Sequence, residues 1–351
     1  MKLRTILTAL CFIAFIQWSQ ATILTVSNNA GVPAQYTDAQ TAHNAANVGD
    51  TLFVHASGIT YGSINISKKI TIIGEGYYGA SQTKFDNIYF TNNAATGGSI
   101  QSIYIDSYIN TTTGVQADNI TIERVYLDGL GFSNSEYTVI QVNGDNWIIR
   151  HCIQYSSELC RAQSGQNDGW IIANNYIHDY DAGSYTEYTI QDLNGAIIEN
   201  NIIAASDNAI DDCTNTIIKN NIFYNIDDID NEDNSSNIFD NNMSNNSATF
   251  TPNPGTGNIT NTNPSFVAAL FAPSLNGLST LNLNLQTSSP AKGTGQGGTD
   301  MGIHGGVLPM PNHLPYDGKA AKPNIENLLI LNPVVGQGQY LKFQIEAKTR
   351  D

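Results

Sequence analysis

The chain has 351 residues, with 15 basic against 31 acidic side chains and a formal net charge of −16. Such a surface repels nucleic acid and anionic lipid, so neither is an expected partner; it also repels an acidic polysaccharide unless cations bridge the two. A globular chain of this length often divides into two domains, whereas a repeat array runs this long as one body.

Lys2 and Arg4 precede an apolar run from Ile6 to Ile16, and Ser19-Gln20-Ala21 fits a small-x-small cleavage site. Residues 1–21 therefore read as a secretory signal peptide, and the run is too short for a membrane span. Leu10 before Cys11 is a poor lipobox residue, so a lipid anchor is not expected. The expected location is secreted, extracellular or periplasmic. Without residues 1–21 the balance is 13 basic against 31 acidic residues, or −18.

Residues 22–50 read as a capping segment. Tyr36 to Ala46 permits a helix, Asp38 stands near its start, and Gly49-Asp50 stops it. Thr51 to Val54 reads as the first strand. A short helix here covers the open end of a solenoid, whose bare strand edge would invite aggregation.

From residue 120 a phrase recurs. It is sharpest as Trp170-Ile171-Ile172-Ala173-Asn174-Asn175-Tyr176-Ile177, Ala196-Ile197-Ile198-Glu199-Asn200-Asn201-Ile202-Ile203 and Thr216-Ile217-Ile218-Lys219-Asn220-Asn221-Ile222-Phe223. Worn copies begin at Ile120, Trp147 and Asn237, and the steps are 27, 23, 26, 20 and 21 residues. A period this short, built from brief Ile-rich runs, is a solenoid of strands. Each coil divides into three strands, and each strand pairs in parallel with that of the next coil.

The Asn pair marks a sharp bend, because Asn tolerates left-handed backbone and its side chain bonds to backbone groups left open there. Asn175, Asn201, Asn221 and Asn242 are expected to stack in an internal ladder. The residue before each pair runs Glu123, Arg150, Ala173, Glu199, Lys219, Asp240. This column is expected to face solvent and form cross-strand ion pairs.

The third strands are Tyr137 to Val142, Glu158 to Ala162, Tyr188 to Leu193, Asn208 to Cys213 and Ile229 to Asn234. With Ile140, Cys160, Ile190, Ile210 and Ile229 inward, the outward column is Gln141, Arg161, Gln191, Asp211, Asp230. Cys152, Cys160 and Cys213 are an odd number in the mature chain, which leaves at least one thiol free, and buried thiols are the expected state. Residues 244–280 read as a long loop or irregular coil, and the Pro-rich stretch 307–323 as a linker. Residues 324–351 hold two strand-like runs, Asn327 to Asn332 and Gln339 to Ile345, read as a strand pair or the stub of a further domain. The β-helix body spans 22–306.

Gly49-Asp50-Thr51-Leu52-Phe53-Val54 and Lys68-Lys69-Ile70-Thr71-Ile72-Ile73-Gly74-Glu75-Gly76 resemble the start of pectate-lyase-like right-handed parallel β-helix proteins. Asn263-Pro264-Ser265-Phe266-Val267, Ser289-Pro290-Ala291-Lys292-Gly293 and Asp300 to Gly306 resemble the closing coils of many secreted bacterial members. The C-terminal residues resemble spacers in secreted proteins of the Bacteroidetes type. The resemblance covers residues 23–306. It implies an all-β, right-handed parallel β-helix with an N-terminal capping segment. It says little about chemistry, because function sits in sites grafted on the fold.

Members that cleave acidic polysaccharides use the groove along one strand face. The resemblance implies carboxylates that bind calcium and an Arg or Lys that takes a proton beside the uronate. Arg161, with His178 and Tyr180 as acid or base, are the catalytic candidates, and Gln141 and Gln191 the substrate-binding ones. Asp211 and Asp230, with the loop row Asp181, Asp207 and Asp227, are the calcium candidates. Asp211-Asp212 is similar to the paired aspartates of polygalacturonase-like hydrolases, whose Gly-His-Gly and Arg-x-Lys motifs are missing at the expected places. His304 belongs to the closing coil and reads as structural. Two function classes fit: a polysaccharide-acting enzyme, above all a calcium-assisted lyase on a uronic-acid polymer, and a non-catalytic carbohydrate-binding or cell-surface scaffold. A monomer is expected.

Overall fold

Left-handed corners set the shape of every coil. In the computed structural model Asn174, Asn200, Asn220 and Asn241 adopt φ of 55°, 55°, 57° and 52°, and Arg124 and His151 take the same corner at 54° and 55°. A non-glycine residue rarely adopts this conformation, and Asn does so at least cost. The description covers residues 21–128, 138–155, 158–178, 188–204, 208–230, 236–250, 254–268, 275–312, 316–319, 323–330 and 343–349.

Three parallel ladders result. Among the described residues the first face is a sheet of ten strands in sequence order, from Ile23–Val26 through Ile148–Arg150, Ile171–Ala173 and Ile197–Glu199 to Ile238–Asp240. The second face follows each corner, with Tyr126–Leu127, Ile153–Tyr155, Tyr176–His178, Ile202–Ala204 and Ile222–Tyr224. The third holds Thr138–Val142, Glu158–Ala162, Tyr188–Gln191, Asn208–Asp211 and Asp228–Asp230. The second and third faces form one sheet that divides at the long strand Tyr104–Thr111, whose start pairs with Tyr126 and whose end pairs with Ile140. The chain is thus the expected parallel β-helix. Helix α1, Ala39–Ala45, packs at the N-terminal end, capped by Asp38, whose Oδ1 accepts from Thr41 N at 2.7 Å.

Ile122, Ile149, Ile172, Ile198 and Ile218 fill the interior, with Trp147 and Trp170 stacked at 5.3 Å. Beside them runs the expected amide ladder. Asn175 Nδ2 donates to Asn201 Oδ1, Asn201 to Asn221, and Asn221 to Asn242, each at 3.0 Å; Asn242 donates to Asn258 at 3.2 Å. Each ladder oxygen also accepts the backbone N–H of the coil before, so buried polar groups at the corner are satisfied.

The first residue of each pair faces outward and holds a returning strap. Asn241 donates to Thr294 O, Asn220 accepts from Gln296 N, Asn200 donates to Asp300 O and Gly302 O, and Asn174 to Ile303 O and Gly305 O. His151 Nε2 meets Leu308 O at 2.9 Å, and Tyr77 N donates to Asp317 O. The chain therefore runs from its last coils back to its early ones. Met301, Ile303, Met310 and Tyr316 bury the outward Tyr126, Ile153, Tyr176, Ile202 and Ile222 of the second face. Of the Pro-rich stretch, Met310 and Tyr316 pack on this surface. His304 is structural, with Nδ1 near Met310 O and Nε2 near the Tyr316 hydroxyl.

The charged column pairs across strands, Arg150 with Glu123 at 3.0 Å and Lys219 with Glu199 at 3.1 Å. Glu123 does not face solvent as expected: it is buried, with Arg124 at 2.7 Å and His151 at 3.7 Å. Burial pushes its carboxyl up, but the His151 contact and the two guanidiniums outweigh that and hold it at about 2. Cys152, Cys160 and Cys213 are all buried free thiols. Pro323–Ile330 and Phe343–Thr349 form an antiparallel pair.

Asn201→Ala removes the bonds of its side chain to Asn175 N, the Asn175 amide and Ile172 O in the buried ladder, so it is expected to cost about 3 kcal/mol in urea unfolding. Lys219→Ala, at a half-exposed pair, is expected to change stability by less than about 1 kcal/mol.

Candidate functional site

The third face carries the expected polar column. Gln141 registers with Arg161, and Gln191 with Asp211, while Cys160 pairs with Ile190 to join the two halves. Asn110 extends the column one coil earlier, opposite Gln141. Parallel strands space these side chains at about 4.8 Å. Gln141 and Arg161 are half-buried, Gln191 and Asp211 nearly covered.

Asp230 leaves the column. It registers with Ile210, and Asp228 with Asn208, because the coil here is 20 residues long. Asp227 is exposed, just before this strand. Tyr180, Asp181 and Asp207 lie outside the described residues. His178 sits on the second face, in register with Tyr155 and Ala204, and stacks on the Tyr155 ring at 5.2 Å. Burial lowers it to about 4, so it is neutral at neutral pH. Among the described residues no three His, Cys, Asp or Glu side chains gather as a metal site.

Asp192 and Asp212 stand at left-handed corners just after Gln191 and Asp211 (φ 58° and 47°). Burial raises the Asp192 carboxyl, as do the charges of Asp212 and Asp211, while Arg161 opposes them. Arg161 is thus the counter-charge of a concentrated acidic patch.

A groove of about 350 Å³ opens where the third face turns into the first. Gln116, Asn143, Asp145, Ser164, Gln166 and Asp168 line it. Gln163 joins it to the column, donating to Asn110 Oδ1 at 3.1 Å and accepting from Asn143 Nδ2 at 3.3 Å. Column and groove form one polar track.

A second cluster was hidden in the sequence. Tyr104-Ile105-Asp106 and Tyr126-Leu127-Asp128 repeat 22 residues apart and align in register. The Tyr104 hydroxyl donates to Asp128 Oδ2 and lies 3.2 Å from Asp106 Oδ1, and Lys84 Nζ lies 2.7 Å from Asp106. The Tyr104 and Tyr126 rings stack at 5.3 Å. Burial, with the Asp106 charge, raises Asp128 to about 6, against the Tyr104 bond and Lys84. The recurring Tyr-apolar-Asp at one coil's spacing is the signal that marks it.

No protein-family model and no curated protein matches the chain. Among solved structures it is similar to a pectin methylesterase from Aspergillus niger, at 10% identity and a TM-score of 0.38, over 68% of this chain and 83% of that one. It is also similar to pectate lyase Pel9A, at 13% identity and a TM-score of 0.44, over 81% and 96% of the two chains. At these scores the fold rests on the chain's own strand register.

The two buried groups have opposite linkage. Asp128, raised from 3.8 to about 6, lowers stability as pH rises between those values. His178, lowered from 6.5 to about 4, raises stability as pH rises between 4 and 6.5. Asp128→Asn removes the first, so unfolding measured from pH 4 to 6 is expected to show a steeper gain in stability with pH than the parent. An unchanged slope would contradict the Asp128 assignment.

Proposed function

We propose that this chain is a secreted β-helix that engages a polysaccharide along its third face. The observation that supports this most is the continuous polar track, Asn110–Gln141–Arg161–Gln191–Asp211, opening into the corner groove. Its side chains recur at the strand spacing of about 4.8 Å, so an extended polymer meets a hydrogen-bonding group at every coil. Amides and carboxylates both suit sugar hydroxyls, and the two glutamines offer donor and acceptor together. Calorimetric titration against a panel of soluble polysaccharides tests this. Binding is expected, with Gln141→Ala weakening it roughly tenfold; binding unchanged in that variant and in Arg161→Ala would sink the reading.

A second reading, calcium-assisted β-elimination of a uronic-acid polymer, is favoured by one observation. Burial and the charges of Asp212 and Asp211 raise the Asp192 carboxyl, with Arg161 opposing them, and a divalent cation beside Asp192 would relieve that repulsion. The described residues do not assemble a full ligand set, so no catalytic step is assigned through the metal. Under this reading calcium raises the unfolding temperature of the parent but not of Asp211→Ala. Ultraviolet absorbance at unsaturated uronate ends then rises with alginate or pectate and is lost in Arg161→Ala. A flat trace with no calcium shift leaves a binding scaffold.

A further inference from the structure

We propose that the groove between the third and first faces binds an uncharged, hydroxyl-rich glycan, and that the polymer engaged is neutral. This rests on the reading that the third face engages a polysaccharide, and it names the class.

The groove is pre-formed. Its floor is backbone at Gly144, where a Cβ would lie 2.0 Å from Ala117 O, so no side chain fits. Beneath it Trp147 Nε1 donates to Ala117 O at 2.6 Å, and Trp170 Nε1 to Gly144 O at 2.7 Å, with the two indoles parallel. One wall holds Asp145 and Asp168, two members of a column of aspartates that begins at Asp118. Asp118 Oδ1 accepts from Asp145 N at 3.0 Å, Asp145 Oδ1 from Asp168 N at 2.9 Å, and Asp168 Oδ1 from Asn194 Nδ2 at 2.9 Å. A rigid cavity of this size falls in the range that holds small ligands and loses little entropy on binding.

The chemistry left over selects the ligand. Gln116 places one of its two amide N–H groups on Asp145 Oδ2 at 3.2 Å. Among the described residues, Gln116 Oε1 and Asp168 Oδ2 accept no hydrogen bond. These two acceptors call for donors on the ligand, and the second N–H of the Gln116, Asn143 and Gln166 amides calls for acceptors. No Lys or Arg lines the groove, and two carboxylates do. A uronate there meets like charge with no counter-ion, at a further cost on a chain of net charge −16. A sugar hydroxyl supplies a donor without a negative charge.

The test uses the full chain in calorimetry or affinity electrophoresis with galactan, xylan and glucomannan as neutral probes and polygalacturonate as the anionic one. At least one neutral polymer is expected to bind, with little dependence on salt. Gln116→Ala and Asp168→Ala are each expected to weaken it roughly tenfold. Thermal melts of both variants check folding, and Gln116→Ala leaves the aspartate column whole. Binding of polygalacturonate alone would overturn this inference and leave the third-face reading standing. So would neutral binding that falls in Arg161→Ala yet is unchanged in both groove variants. Binding of no polymer would overturn both.

Discussion

The asparagine pair at the corner is the interaction on which the molecule depends. One member turns in and one turns out. The inner amides link coil to coil from Asn175 to Asn258, each bonding both the next amide and backbone groups of neighbouring coils. Breaking a member removes several buried hydrogen bonds at once, which is costlier than losing one exposed bond. The outer amides hold the strap between residues 294 and 305, which seals the apolar outer surface of the second face. A single dipeptide thus sets the bend, the stacking register and the return path.

Register then determines where chemistry can lie. The strap occupies the corner between the first and second faces, and its apolar residues cover much of the second. The polar surface is left on the third face and at its far corner. There the coils present side chains in columns rather than in a compact pocket, which suits a long, repetitive ligand better than a small one. The acidic patch at Asp192, Asp211 and Asp212 and the amide-lined groove lie along the same track. They differ in what they ask of a sugar: a charge bridged by a cation in one, hydroxyl donors in the other.

Much of this was legible in the sequence. The Ile-Ile-x-Asn-Asn phrase revealed the solenoid because its apolar and bend residues each obey one local rule. The ladder residues Asn175, Asn201, Asn221 and Asn242, and the column from Gln141 to Asp211, followed from the same alignment. Asp230 did not, because Ile229 was matched to Ile210 on apolar character, while the strands pair at a step of 20 and set Ile229, itself buried, opposite Ala209. The strap was illegible because carbonyls of Asp300, Gly302, Ile303, Gly305 and Leu308 do the binding, and any residue supplies a carbonyl. The expectation that Glu123 faces solvent fails for a related reason. Its burial depends on Arg124 and His151, corner residues that replace asparagine in the early coils. Tyr104, Asp106 and Asp128 meet only when adjacent coils align, so they share no local motif longer than three residues.

The most direct test is a crystal structure of the chain with a bound oligosaccharide. The account predicts sugar rings lying along the third face, with hydroxyls bonded to Gln141 or Gln191 and one end in the groove at Gln116 and Asp168. An oligosaccharide seated elsewhere, beside Tyr155 and His178 on the second face or against the first, would contradict it.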